Sequence, residues 1–140
     1  MIVLDTNVVS ELMRKSPQLE VVRWVDAFDA TDVFVTAVTA AELMYGVARL
    51  PEGRRKQRLS VKVRALLEDD FADQVLPFDV PAAISYADIV ASRERSGRPI
   101  TMADAQIAAI CRQWGAGVAT RNIADFAETG IDVLNPWHVA

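Results

Sequence analysis

The chain repeats one arrangement that leaves few folds open: a short apolar run, then abruptly a polar group, then helical periodicity. Residues 2 to 4 are Ile-Val-Leu and run straight into Asp5-Thr6-Asn7. Residues 33 to 35 lead into Thr36, and Val118-Ala119-Thr120 leads into Arg121-Asn122. Runs without polar alternation belong to strands covered on both faces. Between them apolar residues recur at helical spacing, as at Leu19, Val22, Val25 and Phe28. Strands alternating with helices predict a central parallel sheet packed on both sides, a three-layer α/β/α domain. At 140 residues and 51% hydrophobic content, a single domain with a full core is expected over the whole chain.

Strands are expected at 2 to 4, 33 to 35, 75 to 77, 118 to 120 and 131 to 134. Helices are expected at 6 to 14, 17 to 29, 39 to 50, 53 to 71, 81 to 96 and 102 to 114. Pro51 ends one helix, and Gly97 and Pro99 separate the last two. Pro77 has no N–H to give to a ladder, which puts its strand at a sheet edge. No repeat, linker or low-complexity segment interrupts the pattern.

Several chemistries are disfavoured at once. The single cysteine, Cys111, cannot form an internal disulfide and fits a reducing compartment. The single histidine, His138, sits almost at the end, which argues against a His/Cys zinc site and a Ser-His-Asp triad. There is no basic leader and no apolar run long enough to span a bilayer, so a cytoplasmic protein is expected. The net charge of −4 argues against a protein that coats nucleic acid. One segment departs from that balance. Residues 49 to 64 carry Arg49, Arg54, Arg55, Lys56, Arg58, Lys62 and Arg64 against Glu52 alone.

Ligands in parallel sheets bind past the carboxyl ends of the strands, where Asp5 stands. Three further polar clusters occupy comparable places: "TAAEL" with Glu42, "TMADA" with Asp104, and "TRNIADF" with Asn122 and Asp125. Each has a local explanation. Thr39 and Glu42 are spaced as a helix N-cap and its N3 partner, and so are Thr101 and Asp104. Asp5 can accept N–H groups of the following turn, and Asp125 can cap a helical turn of its own. Convergence is the alternative. Three anions at one sheet edge oppose each other's ionisation, and a hard divalent cation, Mg²⁺ or Mn²⁺, relieves the conflict with oxygen ligands only. Such a site suits phosphoryl chemistry without a nucleophilic side chain.

With these residues laid out, the chain resembles PIN-domain toxins of the VapC or FitB type. The matching stretches are "MIVLDTNVVSEL", "TAAELMYGV", "TMADAQIAAI", "VATRN" and "NPW", spread over nearly all of the sequence. The resemblance implies a three-layer fold and a Mg²⁺- or Mn²⁺-dependent endoribonuclease that leaves 5′-phosphate and 3′-hydroxyl ends. It further implies a homodimer, a cognate antitoxin that blocks the acidic pocket, and operator DNA bound through that antitoxin. Asp5, Glu42 and Asp104 match the family's metal-binding carboxylates, and Thr6 and Asn7 match the polar pair beside the first of them. The family's fourth acidic position falls here on Asn122, an amide. Asn122 and Asp125 are both candidates for the outer metal site, and Thr120 for orienting a water or phosphate.

Two other functions fit parts of the pattern. A receiver-like phosphoacceptor domain also gathers acids around Mg²⁺, but normally shows two adjacent acids after its first strand and a lysine near its last; here Asp5 stands alone and the last lysine is Lys62. A non-catalytic RNA- or protein-binding module on the same fold fits the amide at position 122. Arg54, Arg55, Lys56 and Arg58 form either a solvated helix face or a phosphate track toward the acids, or contact the antitoxin. Cys111 is expected as a small buried hydrophobe, Trp24 and Phe28 as core, and "NPWHV" as a tie-down in which Trp137 packs on the domain.

Overall fold

The computed structural model describes residues 1 to 137. Its centre is a five-stranded parallel sheet with strand order β3-β2-β1-β4-β5. The strands are β1 (Ile2–Leu4), β2 (Val33–Thr36), β3 (Val75–Leu76), β4 (Gly117–Ala119) and β5 (Val133–Leu134). β1 lies in the middle, with Ile2 opposite Val33 on one side and Gly117 on the other. β3 lies at an edge, where the missing N–H of Pro77 is harmless.

Successive residues of β1 face opposite layers. Ile2 and Leu4 join a core with Val8, Val9, Val21, Leu43, Val47 and Val63, whereas Val3 joins a second core with Ala82, Ile89, Ile107 and Phe126. The two-residue period of a strand thereby splits one apolar run between two helical layers. The first layer contains α1 (Thr6–Leu12), α2 (Leu19–Asp26), α3 (Ala37–Ala48) and α4 (Arg54–Ala65). The second contains α5 (Val80–Arg95) and α6 (Met102–Trp114). Trp24 and Phe28 pack against the first core, their rings 4.8 Å apart, as expected. Trp137 closes the same core at 9% exposure, while His138 of the expected tie-down lies outside the described residues.

The expected elements all form, several of them somewhat shorter. The helix expected to reach residue 71 stays α-helical to Ala65 and continues over 66 to 70 in a wider turn, in which Phe71 N–H reaches back to Leu66 O at 2.9 Å. The start of α3 differs in a way that matters for the site. Thr36, the last residue of β2, caps α3 by accepting the Thr39 N–H at 3.2 Å. The helix therefore begins before Thr39, and Glu42 lies in its second turn, out of reach of a capping role. No helix among the described residues is long and apolar enough to cross a membrane.

Candidate active site

The connections from β1 to β2 and from β2 to β3 run toward one edge of the sheet. The chain then crosses back to add β4 and β5 beyond β1. Strand order reverses between β1 and β4, which opens a crevice at the carboxyl ends of those two strands. Asp5 and Thr120 follow these strands directly. The Asp5 N–H donates to Ala119 O at 2.9 Å, which extends the ladder to the rim of the crevice.

Asp5 is buried, 5% exposed, and its carboxylate is held firmly. Oδ2 accepts from Thr120 Oγ1 at 2.8 Å and from Asn7 Nδ2 at 3.0 Å, and Oδ1 accepts the Thr6 N–H at 2.8 Å. The supports are themselves saturated. Thr120 Oγ1 also accepts from Asn7 Nδ2 at 3.2 Å and from the Asn122 N–H at 3.0 Å, and Asn7 Oδ1 accepts the Arg121 N–H at 3.1 Å. A hydroxyl has one proton and two lone pairs, and Thr120 uses all three. A carboxylate offers about four lone pairs, and these bonds occupy three. Burial nevertheless raises the Asp5 pKa above its ordinary value; the Thr120, Thr6 and Asn7 bonds oppose that rise, and the Glu42 charge adds to it.

Thr6 joins the first carboxylate to the second. Its backbone serves Asp5, and its hydroxyl donates to Glu42 Oε1 at 2.6 Å. With its one proton on the carboxylate, Thr6 Oγ1 is left to accept from Thr39 Oγ1 at 3.1 Å. The expected Thr39–Glu42 capping box is absent because Thr36 does the capping, so Glu42 is free to face the crevice.

Asp104 enters on the first turn of α6. Here the expected cap is present, with Thr101 Oγ1 accepting the Asp104 N–H at 3.3 Å. Its carboxyl is half-buried and its pKa is pushed up to about 6. Burial is the main cause, and the charges of Asp5, Asp125 and Glu42 add to it, against a Thr101 hydrogen bond that lowers it. Asp104 therefore feels acids from three other segments at the same sheet edge. Asp125 lies inside a 3₁₀ turn, Ile123–Phe126, and caps nothing; Asn122 stands at the cap position without a side-chain bond. Both are exposed. The Cys111 thiol, pushed up to about 12 by burial and by the Asp5 charge, is the inert core residue expected.

The donor set is oxygen only, and Asp5 retains a lone pair on Oδ1, so the residues suit a hard cation. Among the described residues no three His, Cys, Asp or Glu side chains form a closed ligand group as they stand. The acids meet at one edge but are not drawn in around a common point.

A family model described as PIN domain matches residues 2 to 131. The chain belongs to the PIN-domain family. It is 41% identical over 140 residues to a VapC ribonuclease, Y4jK, of Sinorhizobium fredii, covering all of both chains. It is 42% identical over 138 residues to the toxin FitB of Neisseria gonorrhoeae, covering 99% of each. The structure of FitAB bound to an IR36 DNA fragment contains a chain that superposes with a TM-score of 0.92 at 41% identity, over 100% of this chain and 98% of that one. FitAcB from Neisseria gonorrhoeae gives a TM-score of 0.88 at 40% identity, over 99% and 100%.

In this PIN domain the acidic edge opens into a groove of about 410 Å³ between α1, α3 and α4. Thr6 and Glu42 line one end, Leu43, Val47 and Leu59 lie along it, and Arg14, Arg49 and Arg55 contribute charge. Of the four basic residues singled out from the sequence, Arg55 alone lines this groove. Lys56 Nζ is engaged with Glu52 Oε1 at 2.6 Å and Ala48 O at 3.3 Å. Arg54 and Arg58 are exposed and lie off the groove lining. Arg49 belongs to the basic segment noted in the sequence, whereas Arg14 has no local signature that would have singled it out. Arg14 follows the end of α1 and is paired with Glu11 at 3.1 Å.

Proposed function

We propose that this PIN-domain chain is a divalent-metal-dependent endoribonuclease, the toxin of a toxin–antitoxin pair. The observation that carries the reading is the meeting of Asp5, Glu42 and Asp104 at the switch point of the sheet, where Asp104 feels the charges of the other two and Asp5 feels that of Glu42. The names of the relatives, a VapC ribonuclease and a FitB toxin, support the same assignment. Asp5, Glu42 and Asp104 would hold Mg²⁺ or Mn²⁺, with Asp125 or the Asn122 carbonyl oxygen at an outer position. Held by these residues, such an ion would supply Lewis-acid polarisation of the phosphoryl group and a lowered pKa for the attacking water.

The protein's own groups do the rest. Thr120 and Asn7 fix Asp5 in one orientation, so it does not reorganise as charge develops. Glu42, exposed and tethered by Thr6, is the acid free to adjust to a substrate. Water attacks phosphorus in line and the 3′ oxygen leaves, giving 5′-phosphate and 3′-hydroxyl ends. Arg49 and Arg55 along the groove attract the phosphates that flank the scissile bond. The same groove, with its apolar floor, offers an antitoxin segment a place to lie and shut the site. The homodimer and the operator-DNA contact through the antitoxin, together with a cytoplasmic location, belong to this proposal.

The test is cleavage of a mixed-sequence RNA by the purified chain in Mg²⁺ or Mn²⁺, set against EDTA. Cleavage should require the ion and disappear in Asp5→Asn and Asp104→Asn while circular dichroism stays unchanged. Metal-independent cleavage, or activity surviving both substitutions, would overturn the assignment.

A further inference from the structure

Arg93 is the only buried cation among the described residues, at 4% exposure, and no carboxylate pairs with it there. An unpaired buried charge costs several kcal/mol in general. Its donors instead go to main-chain carbonyls. Nε donates to Arg98 O at 2.6 Å, and Nη1 donates to Asp125 O at 3.0 Å and to Ala127 O at 2.8 Å.

These carbonyls belong to two segments that both lead to site acids. Arg98 lies in the turn between α5 and α6, three residues before the Thr101 cap that begins the helix of Asp104. Asp125 and Ala127 lie in the 3₁₀ turn and its exit. The local backbone delivers Arg98 to Arg93. Gly97 takes φ +73°, the Gly97 N–H bonds Glu94 O at 3.1 Å, and the Arg98 N–H bonds Arg93 O at 2.9 Å. This helix stop folds the chain back over the side chain of the same arginine. On the other segment Phe126 is buried and Thr129 Oγ1 donates to its carbonyl at 2.6 Å, so the turn is gripped from both sides.

We infer that Arg93 is a positioning residue that fixes the spacing between Asp104 and Asp125, and so the geometry with which this edge takes a divalent cation. One guanidinium ties the main chain of Asp125 itself to the turn that sets the first turn of α6. The inference rests on the metal-dependent reading above. An exposed stitch between the same segments, Arg98 to Glu128 at 3.2 Å, serves as a control because it touches neither acid.

The experiment is calorimetric titration of Mn²⁺ into the full-length wild-type chain and the Arg93→Lys, Arg93→Met and Glu128→Gln variants, with folding checked by thermal melts. Arg93→Met should weaken Mn²⁺ binding about 10- to 100-fold, the usual effect of removing an outer support of a metal site. Arg93→Lys, which keeps the charge but not the fork, should fall between, and Glu128→Gln should match wild type. In RNA cleavage Arg93→Lys should lower kcat with KM unchanged, and added Mn²⁺ should restore part of the loss. A folded Arg93 variant that binds Mn²⁺ like wild type overturns the inference and leaves the nuclease reading standing. Failure of both Arg93 variants to fold assigns the residue to the fold alone and also overturns it. Wild-type protein that binds no Mn²⁺ removes both readings together.

Discussion

Replacing Asp104 with asparagine should make the metal-free protein more stable while removing its activity. The carboxyl pKa rises from 3.8 to about 6 in the folded chain. At about 1.36 kcal/mol for each factor of ten, that gap is at most about 3 kcal/mol of penalty on the charged form. The group is half-buried, so solvent screening reduces this to about 1.5 kcal/mol. An acid on the first turn of a helix also gains about 0.5 kcal/mol from the macrodipole, which the amide forgoes. The net gain is about 1 kcal/mol, or about 3 °C in Tm for a chain of this size. The sign follows from proton binding. Between pH 3.8 and about 6 the folded state holds a proton that the unfolded state has released. Stability of the wild type therefore falls as pH rises through that window and is level above it. The assay is thermal melting in EDTA from pH 4.5 to 8 for both proteins, repeated in Mg²⁺. The Tm advantage of Asp104→Asn should grow up to about pH 6.5 and then stay constant, and Mg²⁺ should raise the wild-type Tm more than the variant's. A variant less stable than wild type at pH 7.5 in EDTA, or a difference independent of pH, would show that local donors satisfy Asp104 and refute the argument.

Thr120→Val removes a fully buried hydroxyl that serves Asp5, Asn7 and Asn122; stranding those partners should cost about 2–3 kcal/mol in urea unfolding and abolish cleavage. Glu42→Gln should leave the Tm within about 1 °C, because Thr36 and not Glu42 caps α3, yet lower kcat for RNA at least tenfold. Arg49→Ala with Arg55→Ala should raise KM for RNA, leave kcat unchanged and reduce the salt dependence of binding by about one phosphate contact per arginine.

Most of the architecture was legible because the strands are uniformly apolar and the helices are punctuated by Pro51, Gly97 and Pro99. Asp5 stood out for the same reason: an acid directly after a buried strand needs partners. What the sequence hid is long-range. Nothing in residues 2 to 4 says that β4 rather than β3 lies beside β1, yet that placement creates the crevice and brings Thr120 to Asp5, 115 residues away. The start of α3 was misplaced because "TAVTAAEL" holds two threonines three apart, each able to cap, and only the buried end of β2 selects Thr36. Arg93 reads as one more charge on a helix; its role depends on carbonyls 32 and 34 residues onward.

The distribution of supports between the two helical layers bears on why a ligand is needed. Asp5 and Glu42 are served by hydroxyl and amide donors from Thr120, Asn7 and Thr6. Asp104 arrives from the opposite layer with Thr101 as its one hydrogen-bonding support, and its pKa is pushed up to about 6. The repulsion therefore acts across the seam where α3 packs against α6. A cation bound by all three acids would close that seam, and an antitoxin group with positive charge could take the same place. Either occupant should stabilise the wild type more than Asp104→Asn, since the variant has already lost the charge conflict that binding relieves.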